Sequence, residues 1–167
     1  MKLSYLIKGL PGHPLHPPLT DVTIGTYTFA TVAAVLNVIG VMGRNATSGW
    51  WIALVVGLCS TALTATTGFF DWLEIEWGSP TWKKATWHLS VMIVASVVFL
   101  VAALVGHSCY VSGSIGAGAF VLTLIGFALL TVGGWLGGAL VFVHGMRVST
   151  QESGADKGHE TDEEAHT

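Results

Sequence analysis

Charge is what this sequence has least of. Only 10% of its 167 residues are Asp, Glu, Lys or Arg, where a soluble globular domain carries about 25%. With so few charged groups the chain cannot cover a core in water, which excludes an ordinary soluble fold. Hydrophobic residues make up 51% and the mean hydropathy is +0.64, so lipid is the solvent for most of the surface. Lys and Arg together number 7, too few for the basic patch that a nucleic-acid partner needs. The two cysteines, Cys59 and Cys109, form no CxxC or CxxCH pair. That argues against an iron–sulfur site, a structural zinc and covalent c-type haem. Cys59 lies midway along an apolar run, where packing is its expected role. No GxSxG, HExxH or nucleotide-binding loop occurs, so hydrolytic catalysis has no support and the reading leans away from an enzyme. Nor does the start of the chain show the cleavage pattern of a signal peptide.

What the sequence has instead is long uncharged runs. A helix crossing a bilayer needs about 20 mainly apolar residues, and Val22–Gly43 supplies the first such span. Asn45–Phe70, entered through Trp50-Trp51, supplies the second. From Ala85 to Met146 no Asp, Glu, Lys or Arg occurs; that length suits two crossings, with the polar, glycine-rich Gly106–Gly118 as the break. The expected fold is therefore all-α, a bundle of four transmembrane helices at about 19–43, 45–70, 85–105 and 119–143. They form a membrane domain of residues 19–148, behind an amphipathic, proline-rich lead-in at 1–18.

Six of the ten acidic residues fall in the last 16 positions. The polar segment 149–167 has no hydrophobic period and reads as a disordered acidic tail. Lys2, Lys8, Lys83, Lys84 and Arg147 flank the spans on the side of the termini and only Arg44 lies opposite, so the positive-inside rule puts both termini in the cytoplasm. Trp72, Trp77, Trp82 and Trp87 cluster around the loop on that side, as an interfacial aromatic belt does.

This topology gathers the ionisable groups at one face. His13 and His16 precede the first span, His88 lies in the first turn of the third, and His144 ends the fourth. Asp21 and Asp71 join them, while His107 is stranded on the other side. In polyproline II geometry, which PGHPLHPP favours, His13 and His16 stand about 9 Å apart on one side, too far to share one metal ion comfortably. Pro17-Pro18 suits a helix start. Each group also has a bland role open to it, such as serving a helix dipole, capping carbonyls or pairing with Lys83 or Lys84. Ionisable groups at membrane depth are nonetheless functional candidates by default. Thr20, Thr23, Tyr27 and Thr31 share one helix face, expected to look into the bundle. The last span holds Gly133-Gly134 and Gly137-Gly138, overlapping GxxxG pairs that suit tight bundle packing, a flat cofactor or a homodimer seam.

The run GLPGHPLHPPLTDVTIG, then TGFFDW after the second span, His88 in the third and GGALVFVHGMRV at the end of the fourth resemble a prokaryotic membrane family labelled "domain of unknown function 2231". The resemblance covers about residues 9–148; the HPLHP element is specific and the GGxLVxxHG element moderately so. The matching positions are His13, Pro14, His16, Pro17, Asp21, Gly68, Asp71, Trp72, His88, Gly137, Gly138, His144 and Gly145. Some relatives carry a histidine directly after the paired glycines, where this chain has Ala139, which leaves His144 as the one histidine of the fourth span. The resemblance implies a prokaryotic cytoplasmic membrane, and in some relatives a similar module precedes a Rieske-type iron–sulfur domain.

These features lead to a ranked expectation. First comes a haem-b or redox-associated membrane module with His13, His16, His88 and His144 as candidate haem or metal ligands, Asp21 and Asp71 in support and Gly137 and Gly138 close-packed. A non-catalytic anchor for a redox partner protein, with a homo-oligomer through the fourth span, is the alternative. Metal or proton transport comes last, since the outer half offers little polar beyond Asn37, Arg44, His107 and hydroxyls.

Overall fold

The structure is a computed structural model and describes residues 9–10 and 13–146. The lead-in residues 1–8 and the acidic tail 149–167 lie outside the described residues, as do both ends of the expected topology. A two-residue antiparallel bridge joins β1 (Gly9–Leu10) to β2 (His13–Pro14), and four helices follow: α1 (His16–Val38), α2 (Gly43–Leu73), α3 (Pro80–Ser112) and α4 (Ala117–Phe142). All four are long and apolar enough to cross a membrane. This is the expected all-α bundle, a multi-pass membrane protein.

Every helix starts earlier than its expected span, and α2 and α3 also end later, because hydropathy sees only the lipid-crossing part. α1 instead stops at Val38, short of the expected 43, just before Gly40 turns left-handed (φ 79°), and α4 stops at Phe142. Pro17 and Pro18 sit in the first turn of α1, where a missing N–H costs nothing. His16 is therefore a helical residue and not part of a polyproline stretch. At the start of α3, Ser79 Oγ accepts from Trp82 N at 3.0 Å, and Pro80 again opens the helix. That cap brings Thr81 through Lys84 into the helix. His88 accordingly lies two turns from its start, one turn beyond Lys84. The break between α3 and α4 shrinks to 113–116. Gly113 takes the left-handed conformation (φ 81°) that ends α3. Arg44 donates across to Val111 O and Ser112 O, both at 3.3 Å, satisfying carbonyls that the helix end leaves open.

Packing is densest within the hairpins α1–α2 and α3–α4 and thinner between them. The interior is built from small residues, with Ala30, Ala34 and Ala102 fully buried, which brings the backbones close. Trp50 does not mark the entry to the second span as expected, since α2 begins at Gly43. It is fully buried, its ring against Gly106 of α3 and its Nε1 donating to Thr123 Oγ1 of α4 at 3.0 Å. Trp51 donates to Ala103 O at 2.9 Å. Cys59 faces outward rather than packing inside, while Cys109 is buried and accepts from Gly116 N at 3.3 Å.

Candidate functional site

His16 leans from α1 onto α2, where Gly68 leaves room for it. A Cβ at Gly68 would meet the imidazole Cε1 at 2.6 Å. Its Nδ1 lies 3.0 Å from Thr64 O and 3.2 Å from Thr67 Oγ1. The carbonyl can only accept, and Thr67 already donates its single hydroxyl proton to the same carbonyl at 2.9 Å. Nδ1 must therefore carry the hydrogen, and in the neutral ring Nε2 holds the lone pair.

His88 repeats this arrangement on the other hairpin. It leans from α3 onto α4 over Gly137, whose Cβ would stand 3.0 Å from Cε1. Its Nδ1 donates to Gly133 O at 2.8 Å, which fixes the same tautomer. In both hairpins the accepting carbonyl belongs to the residue four before the glycine under the ring.

The repetition extends along the helices. His88 lies 72 positions after His16, and Phe99 lies 72 after Tyr27. Gly126, Gly133 and Gly137 each lie 69 positions after Gly57, Thr64 and Gly68. Tyr27 packs over Gly57 as Phe99 packs over Gly126, with would-be Cβ distances of 2.6 and 2.8 Å. The two rings then stack on each other, so equivalent residues meet across the bundle. Such self-pairing marks an approximate two-fold axis between the hairpins, running along the bundle because α1 and α3 point the same way. His16 and His88 lie on this seam three turns from the stacked rings, within electrostatic range of each other.

The hairpins differ in polarity. Asp71, buried near the end of α2, interacts electrostatically with His16, while its counterpart 69 positions on is the buried Leu140. The α1–α2 seam is lined with hydroxyls: Thr23 Oγ1 meets Thr64 Oγ1 at 2.9 Å and Ser60 Oγ at 3.1 Å, and Tyr27 OH meets Thr61 Oγ1 at 2.9 Å. Thr23, Tyr27 and Thr31 are buried, as their shared face implied.

Of the sequence candidates, His16, His88 and Asp71 come together. His144 shares that end of the bundle, yet its Nδ1 engages Thr81 Oγ1 at 3.2 Å. Asp21 lies in the second turn of α1 and is exposed, turned away from the seam by the helical period. The side chain of His13 lies outside the described residues. Gly137 is close-packed, and what covers it is His88. Met92 lies against Gly133. Gly138 has nothing within 4 Å. The partners missed by sequence reasoning are Thr64, Thr67 and Gly133; their signal was the spacing of 69 between the two glycine faces. Among the described residues, no group of three or more His, Cys, Asp or Glu converges as metal ligands would.

This architecture defines a class: a four-span membrane bundle of two like hairpins, each presenting one tautomer-fixed histidine to their common seam. No curated protein and no solved structure matches the chain. The chain belongs to the family of predicted membrane proteins DUF2231, whose model matches residues 12–150.

Proposed function

We propose that the protein is a haem-b electron-transfer module of the prokaryotic cytoplasmic membrane, in which His16 and His88 would hold the haem. One observation carries the reading: both rings are held by backbone acceptors at Nδ1, so both Nε2 lone pairs are available. A carbonyl behind the ring is how proteins orient and strengthen a ligating imidazole. Two nitrogens suit a cofactor that brings its own equatorial ligands, whereas a bare structural zinc ion takes four protein ligands. The histidines come from separate, internally tight hairpins, so each hairpin would contribute one ligand. Bound there, haem would supply a one-electron couple. Lys83 and Lys84, flanking the same end, favour the cytoplasmic side for it.

Transport has less in its favour. Beyond the Tyr27–Phe99 stack the seam is Ala30, Ala34, Leu54, Ala102 and Ala103, and buried Thr47 and Thr123 are taken by Asn37 and Trp50. A second reading, an anchor for a redox partner, rests on Trp77. It is 77% exposed and its ring contacts Trp82 at 4.2 Å on the connection between α2 and α3.

Visible spectra of the protein purified after haem-replete expression test the proposal. A Soret band is expected, lost in His16→Ala and in His88→Ala but kept in His144→Ala. Absence of the band, or its survival in both of the first two variants, would overturn the haem reading. A partner recovered in mild detergent by a haem-free protein, and lost on Trp77→Ala, would favour the anchor.

A further inference from the structure

Apart from the histidine seam, the outer surface of the α3–α4 hairpin carries a groove of about 460 Å³, within the roughly 300–1,000 Å³ of ligand clefts. Its lining is graded. Lys83 and Lys84 stand at the end near the start of α3, and Trp87, Val91, Val132 and Leu136 continue it along the bundle. Lys83 and Trp87 also border a second groove of about 230 Å³ on their other side. Among the described residues no carboxylate lines either groove, and the first turn of α3 holds no acidic residue to neutralise the lysines. Trp87 is 68% exposed, an amphipathic ring of the kind that favours the level where headgroups meet acyl chains.

We propose that this groove binds an anionic phospholipid, its phosphate on Lys83 and Lys84 and one acyl chain along Trp87, Val91, Val132 and Leu136. Charge complementarity selects the occupant. The cationic end lies at the membrane interface, where a phospholipid carries its negative charge. The apolar part lies where its tail must go, and basic pockets between membrane helices hold such headgroups. A soluble anion would use the lysines but leave the apolar length unmatched, and a neutral detergent would leave the lysines unmatched. The site is independent of the haem reading, since it opens to lipid and not to the seam.

Native mass spectrometry of the full chain, offered equimolar phosphatidylglycerol and phosphatidylcholine in mild detergent, tests it. Two lysines acting at the usual strength of basic groups near an anionic surface give a preference for phosphatidylglycerol of roughly ten- to thirty-fold. The Lys83→Gln/Lys84→Gln double variant should lose that preference. Val132→Trp, which fills the groove but keeps both lysines, should lower retention of phosphatidylglycerol as well. Equal retention of the two lipids by the unmodified protein overturns the proposal, as does retained preference in the double variant. Undiminished retention in a helical Val132→Trp protein overturns the groove, leaving only surface charge. Should Val132→Trp fail to fold, brominated-acyl lipids give the second readout. The emission component that Trp87→Phe removes should be quenched by brominated phosphatidylglycerol and not by brominated phosphatidylcholine; an unquenched component refutes the site.

Discussion

The ring of Tyr27 lies flat on that of Phe99, with centroids 3.9 Å and planes 5° apart. One comes from the first hairpin and the other from the second, at equivalent positions of the repeat. Each ring is in turn backed by a glycine of its own hairpin, so the contact is a four-layer sandwich of Gly57, Tyr27, Phe99 and Gly126. Sandwiches of this kind leave no slack, because neither backbone can retreat from its ring.

Gly57→Ala and Gly126→Ala are expected to be costly. Each new Cβ would sit within 3 Å of ring carbons, and overpacking of this kind costs about 1–3 kcal/mol. Gly138→Ala, with nothing within 4 Å of its Cβ, should be neutral within about 0.5 kcal/mol. Thermal unfolding of the three variants in one detergent compares them directly. Equal melting points for Gly57→Ala and Gly138→Ala would contradict the packing described.

The tautomers of His16 and His88 can be read by NMR. With uniformly ¹⁵N-labelled histidine, both rings of the cofactor-free protein should show a protonated Nδ1 and an unprotonated Nε2 at neutral pH. Thr67→Val should leave the tautomer of His16 unchanged, since Thr64 O remains the acceptor. An Nε2–H signal for either residue would remove the basis for ligation.

Gly68→Ala and Gly137→Ala act on the histidines by displacing their rings, with both imidazoles left in the chain. At Gly68 the added carbon stands 2.6 Å from the His16 ring, against 3.0 Å for Gly137 and His88. Gly68→Ala should therefore weaken the Soret band more than Gly137→Ala, while helix content stays as it was. Parallel absorption and circular dichroism spectra separate ring displacement from unfolding.

Trp50→Phe removes the donor to Thr123 but leaves that hydroxyl its second bond, to Ala119 O at 2.8 Å. With no buried group stranded, the expected loss is about 1 kcal/mol, one net hydrogen bond. Trp50→Ala also empties the space over Gly106 and should cost about 3–5 kcal/mol. Denaturant titration in mixed micelles measures both.

The spans were legible because lipid imposes a length and an apolar composition that few other structures share. The helix ends were not, since a capping serine and two opening prolines extend a helix into polar sequence that hydropathy discounts. His16, His88 and Asp71 could be placed at one face from topology alone. Their orientation could not, because it depends on which glycine lies opposite each ring. Asp21 misled because sharing an end of the bundle is not sharing a face: the helical period sets it off the side of α1 that carries Thr23, Tyr27 and Thr31. The internal repeat was present in the spacing of histidine, aromatic and glycine positions, yet substitutions such as Leu140 for Asp71 and Gly133 for Thr64 hide it from residue-by-residue comparison.

His88 stands only one helical turn inside Lys84, and that shallow depth has an electrical consequence. A charge crossing the whole bilayer exchanges about 2.3 kcal/mol per 100 mV with the membrane potential. A charge arriving at the histidines from the nearer side crosses a small part of that drop. A couple seated there should show the same midpoint in vesicles polarised in either sense. On the haem reading, the pair would thus be insulated from membrane voltage and would answer to the redox chemistry of the adjoining aqueous phase.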